Sequence, residues 1–211
     1  MKLILYCCGA AEHLRRLRPS PAEYDADLAA LAAAPLRPLS AVRTATDRPL
    51  YVSSAPAAAQ TAMALFGRAD VTVTPLLDEI PARSFADRAP RLPLWLWDGA
   101  ARLQWYGNSA RQPEGRRETC RRARTLWSLL EERGQDCILI THPRFLRVLL
   151  DQADRRTYEI RGGQWPLAPL EKIAVVPAVP HCGNCGHNCP LSRPGCDIGR
   201  EKALALAARR K

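Results

Sequence analysis

Apolar residues in this chain fall into short blocks separated by longer stretches of helical spacing. Lys2 to Cys8 is a short, mostly apolar run of the kind a buried parallel strand makes. Leu50 to Ser53 is a second such block, Val71 to Thr74 a β-branched third, and Cys137 to Thr141 the clearest of all. Lys172 to Val176 closes the series. Between them, Ala22 to Ala34 predicts a helix with Ser20 as N-cap and Pro21 in the first turn. Ala57 to Phe66 predicts another, ending at Gly67, and Glu118 to Arg133 a third, closed by Gly134. Arg144 to Ala153 follows the fourth strand, and Glu12 to Arg18 has helical spacing with a basic face, stopped by Pro19. Residues 81–113 lack periodicity and are rich in Pro, Arg and Trp, as an inserted lid or excursion would be.

Strands alternating with helices imply right-handed crossovers and a mainly parallel sheet covered on both faces, a three-layer α/β/α architecture. In such sheets the working residues sit at the carboxyl ends of strands. Those ends are Cys7-Cys8-Gly9, Ser53-Ser54 and Thr141-His142.

Composition narrows the class. The chain has 211 residues, 47% hydrophobic and 25% charged, which excludes a disordered or fibrous protein. No apolar run reaches the roughly 18 residues of a membrane span. The apolar start is too short for a signal peptide, and Tyr6 is not the small residue a cleavage site wants, so a cytoplasmic location is the expectation. In that compartment the eight cysteines are expected to be reduced, metal-bound or chemically active rather than paired.

The strand ends also carry a family resemblance. Their order over residues 1–176 resembles the histidine phosphatase (phosphoglycerate mutase-like) superfamily, whose first strand ends in Arg-His-Gly with a phosphate-accepting His. Here that tripeptide aligns with Cys7-Cys8-Gly9. The family's second block, a Ser-Ser-Pro-like turn followed by Arg and Gln-Thr-Ala, resembles Ser53-Ser54-Ala55-Pro56-Ala57 and Gln60-Thr61-Ala62, with Ala57 at the arginine position. Leu77-Asp78-Glu79 looks like its Leu-x-Glu segment, and Pro113-Glu114-Gly115 like part of its Pro-x-Gly-Glu-Ser block. Ile138 to Arg147, with Thr141-His142, resembles the final strand–Ser-His–helix block.

The resemblance implies a phosphate pocket of two arginines and two histidines. This chain keeps His142 and has Cys7, Cys8 and Ala57 in place of the other three. An Arg–phosphate contact is worth about 1.5–3 kcal/mol, so losing two of them and the nucleophile costs several orders of magnitude in rate. Phosphatases with a cysteine nucleophile place an Arg six positions after it. From Cys8 that position is Leu14, and from Cys7 it is His13. A Cys8–His142 pair, with Glu79 as acid or orienter, is the alternative thiol or redox chemistry at this site. Otherwise Cys7 and Cys8 are small buried hydrophobes beside the remnants Gly9, Ser53 and Ala57.

Beyond residue 177 the chain changes character, which divides it into an α/β domain (1–177) and a Cys-rich tail (178–211). The tail carries six basic and two acidic residues of a chain whose formal charge is +10. Cys182, Cys185, Cys189 and Cys196 lie within 15 residues, with His181 and His187 as alternates. A Cys-x2-Cys pair with Gly after each Cys is a knuckle turn that aims thiolates at one point. Zinc is the expected ion, since it tolerates varied spacing and staples a short segment without a core. An iron–sulfur cluster is the alternative, favoured by Cys189-Pro190 but not by the spacing. Ile198 to Lys211 predicts a short basic helix. Without Phe, Tyr or Trp the tail offers bases no stacking platform, so nucleic-acid association is not favoured.

The expectation is therefore a degenerate histidine phosphatase-like protein, non-catalytic, binding a protein or a small phosphorylated ligand and carrying a metal. An enzyme using Cys8 and His142, a residual phosphoesterase, and a nucleic-acid-associated protein are the alternatives.

Overall fold

Side chains alternate across a strand, and that alternation builds the layers of this molecule. A computed structural model describes residues 1–38, 43–67, 70–163, 165–178, 182 and 189–208. Strand β1 (Leu3–Cys7) turns Leu3, Leu5 and Cys7 to one face, where α4 (Arg116–Arg133) and α5 (Pro143–Leu150) cover them. Ile4, Tyr6 and Cys8 belong to the opposite face, under α2 (Pro56–Phe66). β4 (Cys137–Thr141) divides the same way, with Leu139 among the first set and Ile138 and Ile140 in the second. Both faces of these central strands are thus covered, which explains why they read as unbroken apolar runs.

The remaining strands are β2 (Leu50–Val52), β3 (Thr72–Val73), β5 (Tyr158–Arg161) and β6 (Lys172–Pro177). Among the described residues they form one mostly parallel sheet of order β3-β2-β4-β1-β6-β5. β1, β2, β3 and β4 pair in parallel, whereas β6 runs antiparallel to both β1 and β5. No helix separates β5 from β6, so the chain turns back on itself there rather than crossing over. The register sets Cys7 beside Thr141 and Val52 beside Ile140, which brings the three strand ends to one edge.

Helix α1 (Pro21–Ala33) starts as its sequence predicts. Ser20 accepts from the Glu23 N–H at 3.4 Å, and the Glu23 carboxylate accepts from the Ser20 N–H at 2.8 Å. Gly67 ends α2 and Gly134 ends α4, both in the left-handed region that a Cβ disfavours.

The segment Glu12 to Arg18, expected to be helical, is not. Its backbone bonds go to distant partners instead: Glu12 N–H to Pro35 O at 2.8 Å, and Arg16 N–H to the buried Asp27 carboxylate at 2.9 Å. Those contacts satisfy the groups a short helix would have paired, and they remove its advantage. The excursion holds a helix of its own, α3 (Leu94–Tyr106), which is fixed to α1. Trp97, fully buried, stacks on Tyr24 at 5.4 Å and donates to Pro19 O at 3.1 Å. Asp98 accepts two bonds from Arg15 and one from the Tyr24 hydroxyl. A helix α6 (Asp197–Ala208) follows the cysteines. No helix among the described residues is long and apolar enough to cross a membrane.

Candidate functional site

The β4–α5 junction places His142 at the N-cap of α5, and the β2–α2 turn places Ser53 across from it. The two meet: Ser53 Oγ lies 2.8 Å from His142 Nε2. Burial holds the imidazole below its ordinary 6.5, against the opposing pull of Glu79 and Asp78. At neutral pH the ring is neutral, with Ser53 as its partner.

Glu79 approaches from the loop after β3. Its Oε1 accepts from the N–H groups of Ile80 at 2.8 Å and Phe145 at 3.1 Å, and its Oε2 lies 3.6 Å from Arg144. Asp78 accepts from the Ser54 N–H and hydroxyl at 2.7 and 2.5 Å. Both carboxylates are anchored by positions that a sequence could not pair. Arg122 holds the turn that leads to them in place. It donates to Leu76 O and Asp78 O, pairs with Glu114 at 2.9 Å, and lies 4.1 Å over the Phe145 ring. The strand ends therefore gather two carboxylates and one arginine, Arg144, around a neutral imidazole.

The cysteines point away from one another. Cys7 sits in the cluster beneath α4 and α5, and Cys8 in the cluster beneath α2, together with Ala57. Cys8 Sγ lies 3.7 Å from Thr61 Oγ1. A Thr61 that donated to sulfur would lower the thiol's pKa, but its one proton goes to Ala57 O at 2.6 Å. The Thr61 oxygen instead accepts, from the Gly9 N–H at 3.1 Å and from the Cys8 thiol. Desolvation pushes Cys8 up to about 11. Cys7 goes up to about 12, from desolvation and the nearby Cys8, Glu79 and Glu171. Both are protonated thiols at neutral pH. No hydrogen bond joins Cys8 to His142 among the described residues.

In the tail, Cys185, His181 and His187 lie outside the described residues. Of the others, Cys182 is buried, and its N–H donates to Cys189 O at 2.9 Å. The Gly199 N–H points at Cys196 Sγ at 3.4 Å, and a Cβ at Gly195 would stand 3.4 Å from Cys189 Sγ. An N–H aimed at sulfur is the kind of bond that supports a thiolate ligand. Among the described residues no three His, Cys, Asp or Glu side chains form a group that could hold an ion.

No family model matches the chain, and no curated protein does. Among solved structures the chain is similar to a phosphoserine phosphatase mutant from Entamoeba histolytica in complex with phosphoserine. Identity is 14% and the TM-score 0.41, over 71% of this chain and 77% of that one. It is also similar to YhfR of Bacillus stearothermophilus, with 16% identity and a TM-score of 0.39 over 71% and 77% of the two chains.

Ser53 and His142 lie together at the strand ends, with Glu79 beside them on the Phe145 N–H. Thr61, whose hydroxyl fixes Cys8 and the Gly9 N–H, and Arg144 and Arg122 are site residues that the sequence did not single out. Thr61 carried a usable signal: a threonine four residues after Ala57 in a helix bonds back to that carbonyl.

A cavity of about 520 Å³ opens on the α5 side, touching Ile80, Pro143 and Arg144, the immediate neighbours of Glu79 and His142. Neither Cys7, Cys8, Ser53 nor His142 lines it.

Proposed function

We propose that this chain is a histidine phosphatase-like protein whose strand-end site has lost phosphoryl chemistry, and that it works by binding rather than by turnover. The observation that carries the reading is the shared apolar cluster of Cys8 and Ala57. The resembled family would have its nucleophile and a phosphate-binding arginine at those positions. Here they are closed over by Leu50, Val52 and Ile140, with Cys8 6% and Ala57 4% exposed. A phosphate entering from the His142 side would meet Asp78 and Glu79, with Arg144 as its cation and a neutral imidazole. Like charge and a buried thiol both oppose an incoming dianion. The same thiols, held up at about 12 and about 11, weigh against a thiolate nucleophile or redox centre at Cys8.

The tail supplies the second half of the proposal. Cys182, Cys185, Cys189 and Cys196 hold a zinc ion that staples the segment, with His181 and His187 as alternate ligands and an iron–sulfur cluster as the competing occupant. The bond from the Cys182 N–H to Cys189 O and the N–H aimed at Cys196 support this reading.

Hydrolysis of para-nitrophenyl phosphate by the purified protein tests the first half. Turnover absent from both the parent and His142→Ala is expected, and turnover that His142→Ala abolishes would overturn the reading. Metal analysis after purification under reducing, anaerobic conditions tests the second. One zinc per colourless chain, lost in Cys182→Ser with Cys189→Ser, is expected. A brown protein containing iron would assign the cluster, and full-length protein without metal would remove the site.

A further inference from the structure

The cavity beside the strand ends has a lopsided charge pattern. Its volume of about 520 Å³ falls within the ~300–1,000 Å³ of small-molecule sites. Ala101, Val148 and Leu167 give it apolar walls, and Trp105, Tyr106 and Trp165 give it aromatic ones. Arg102, Arg116, Arg144 and Arg147 line it against one carboxylate, Asp151.

Several arginines elsewhere in the chain are paired with carboxylates. Arg15 is paired with Asp98, Arg111 with Asp87 and Arg122 with Glu114. Among the described residues Arg102, Arg116 and Arg147 make no ion pair, and each lies on an aromatic ring instead. Arg102 and Arg116 are each 5.9 Å from the Tyr106 centroid, and Arg147 is 5.4 Å from that of Trp165. A guanidinium laid on a ring is oriented by it, while the in-plane N–H groups stay available to a bidentate acceptor. Three such cations face one apolar-walled cavity whose lining holds a single carboxylate, Asp151, so an anion entering it meets a net positive wall.

We propose that this cavity binds a small aromatic anion, a flat ring bearing a carboxylate or phosphate group. Arg102, Arg116 and Arg147 receive the charge, and Trp105 and Trp165 receive the ring. His142 does not line the site, and the proposal does not depend on how the strand ends are read.

The test is calorimetric titration of the full chain with three probes at about physiological ionic strength. 1-Naphthoate has both ring and charge, 1-naphthylmethanol has the ring alone, and acetate has the charge alone. Naphthoate is expected to bind about tenfold or more tighter than either of the others. The Arg116→Ala, Arg147→Ala double variant should weaken naphthoate by about tenfold or more, since each removes a charge-assisted contact. Arg133→Ala, which removes an arginine stacked on Tyr51 outside the cavity, should leave it unchanged. These arginines are exposed, and circular dichroism verifies that each variant is folded. Absent naphthoate binding at millimolar concentration overturns the proposal. So does equal binding of the alcohol, an unaffected double variant, or an equal loss in Arg133→Ala. Loss in His142→Ala as large as in the double variant would move the anion to the strand ends and overturn it too.

Discussion

His142 Nε2 and Ser53 Oγ, 89 residues apart in the chain, lie 2.8 Å from each other across neighbouring strand ends. The contact gives a buried imidazole a neutral partner, and burial makes neutrality the favoured state. Its pKa lies lower in the folded protein than in the unfolded chain, so between those two values the unfolded chain binds more protons. Stability then rises with pH through that window and is fully present above about 6.5. The melting temperature should fall as pH drops below about 6.5, and His142→Asn should flatten that part of the profile. Thermal melts between about pH 5 and 8 on both proteins check it; parallel profiles would contradict it.

Thr61 is fully buried and satisfies three groups at once: Ala57 O, the Gly9 N–H and the Cys8 thiol. Thr61→Val keeps the shape and strands the Gly9 N–H. The expected loss is about 1–3 kcal/mol in urea denaturation, with Thr61→Ser recovering a good part of it.

Thiol reactivity should follow exposure and pKa together. Cys7, Cys8 and Cys137 are buried and raised to about 12, 11 and 11 respectively, while Cys196 is exposed. Iodoacetamide at neutral pH, on protein stripped with a chelator, should alkylate Cys196 early and spare the other three. Peptide mass spectrometry reads the order, and early labelling of Cys8 would reinstate it as a nucleophile.

Trp97 is the post on which the excursion is hung, stacked on Tyr24 and 4.6 Å from the Phe85 ring. Trp97→Ala should cost about 3–5 kcal/mol, and Trp97→Phe less, because it keeps the stack and loses the bond to Pro19 O. Chemical denaturation measures both.

What the sequence carried plainly was whatever needed only neighbours in the chain. β4 has the five residues its apolar run predicts, because both faces are covered and nothing polar interrupts it. The end of α2 at Gly67 needed only a left-handed residue. What failed to show depends on partners far away. Glu12 to Arg18 has the spacing of a helix, yet Pro35 and Asp27 take its backbone groups. α3 was hidden by Gly99 in its middle and by exposed Trp95 and Leu103, with Trp97 and Ala101 its buried residues. β5 is a polar edge strand that pairs on one side, so Tyr-Glu-Ile-Arg offered no apolar run to read. At the site, the three strand ends were legible because topology alone aligns them. The division of Cys7 and Cys8 between opposite faces followed from strand alternation, but the consequence for their chemistry required knowing that Thr61 stands beneath one of them.

Arg144 touches both parts of this surface. It stands 3.6 Å from Glu79, donates to Ile80 O at 2.9 Å, and lines the cavity with its neighbours on α5. Burial holds the His142 pKa down and Glu79 and Asp78 oppose it, with the Arg144 charge a smaller push in the direction of burial. An anion in the cavity that draws on Arg144 leaves Glu79 less compensated and makes the imidazole more basic. By linkage, protonating His142 must then tighten the anion by the same factor. One side chain thus ties proton uptake at the strand ends to occupancy a helix face away, and the two can be read against each other.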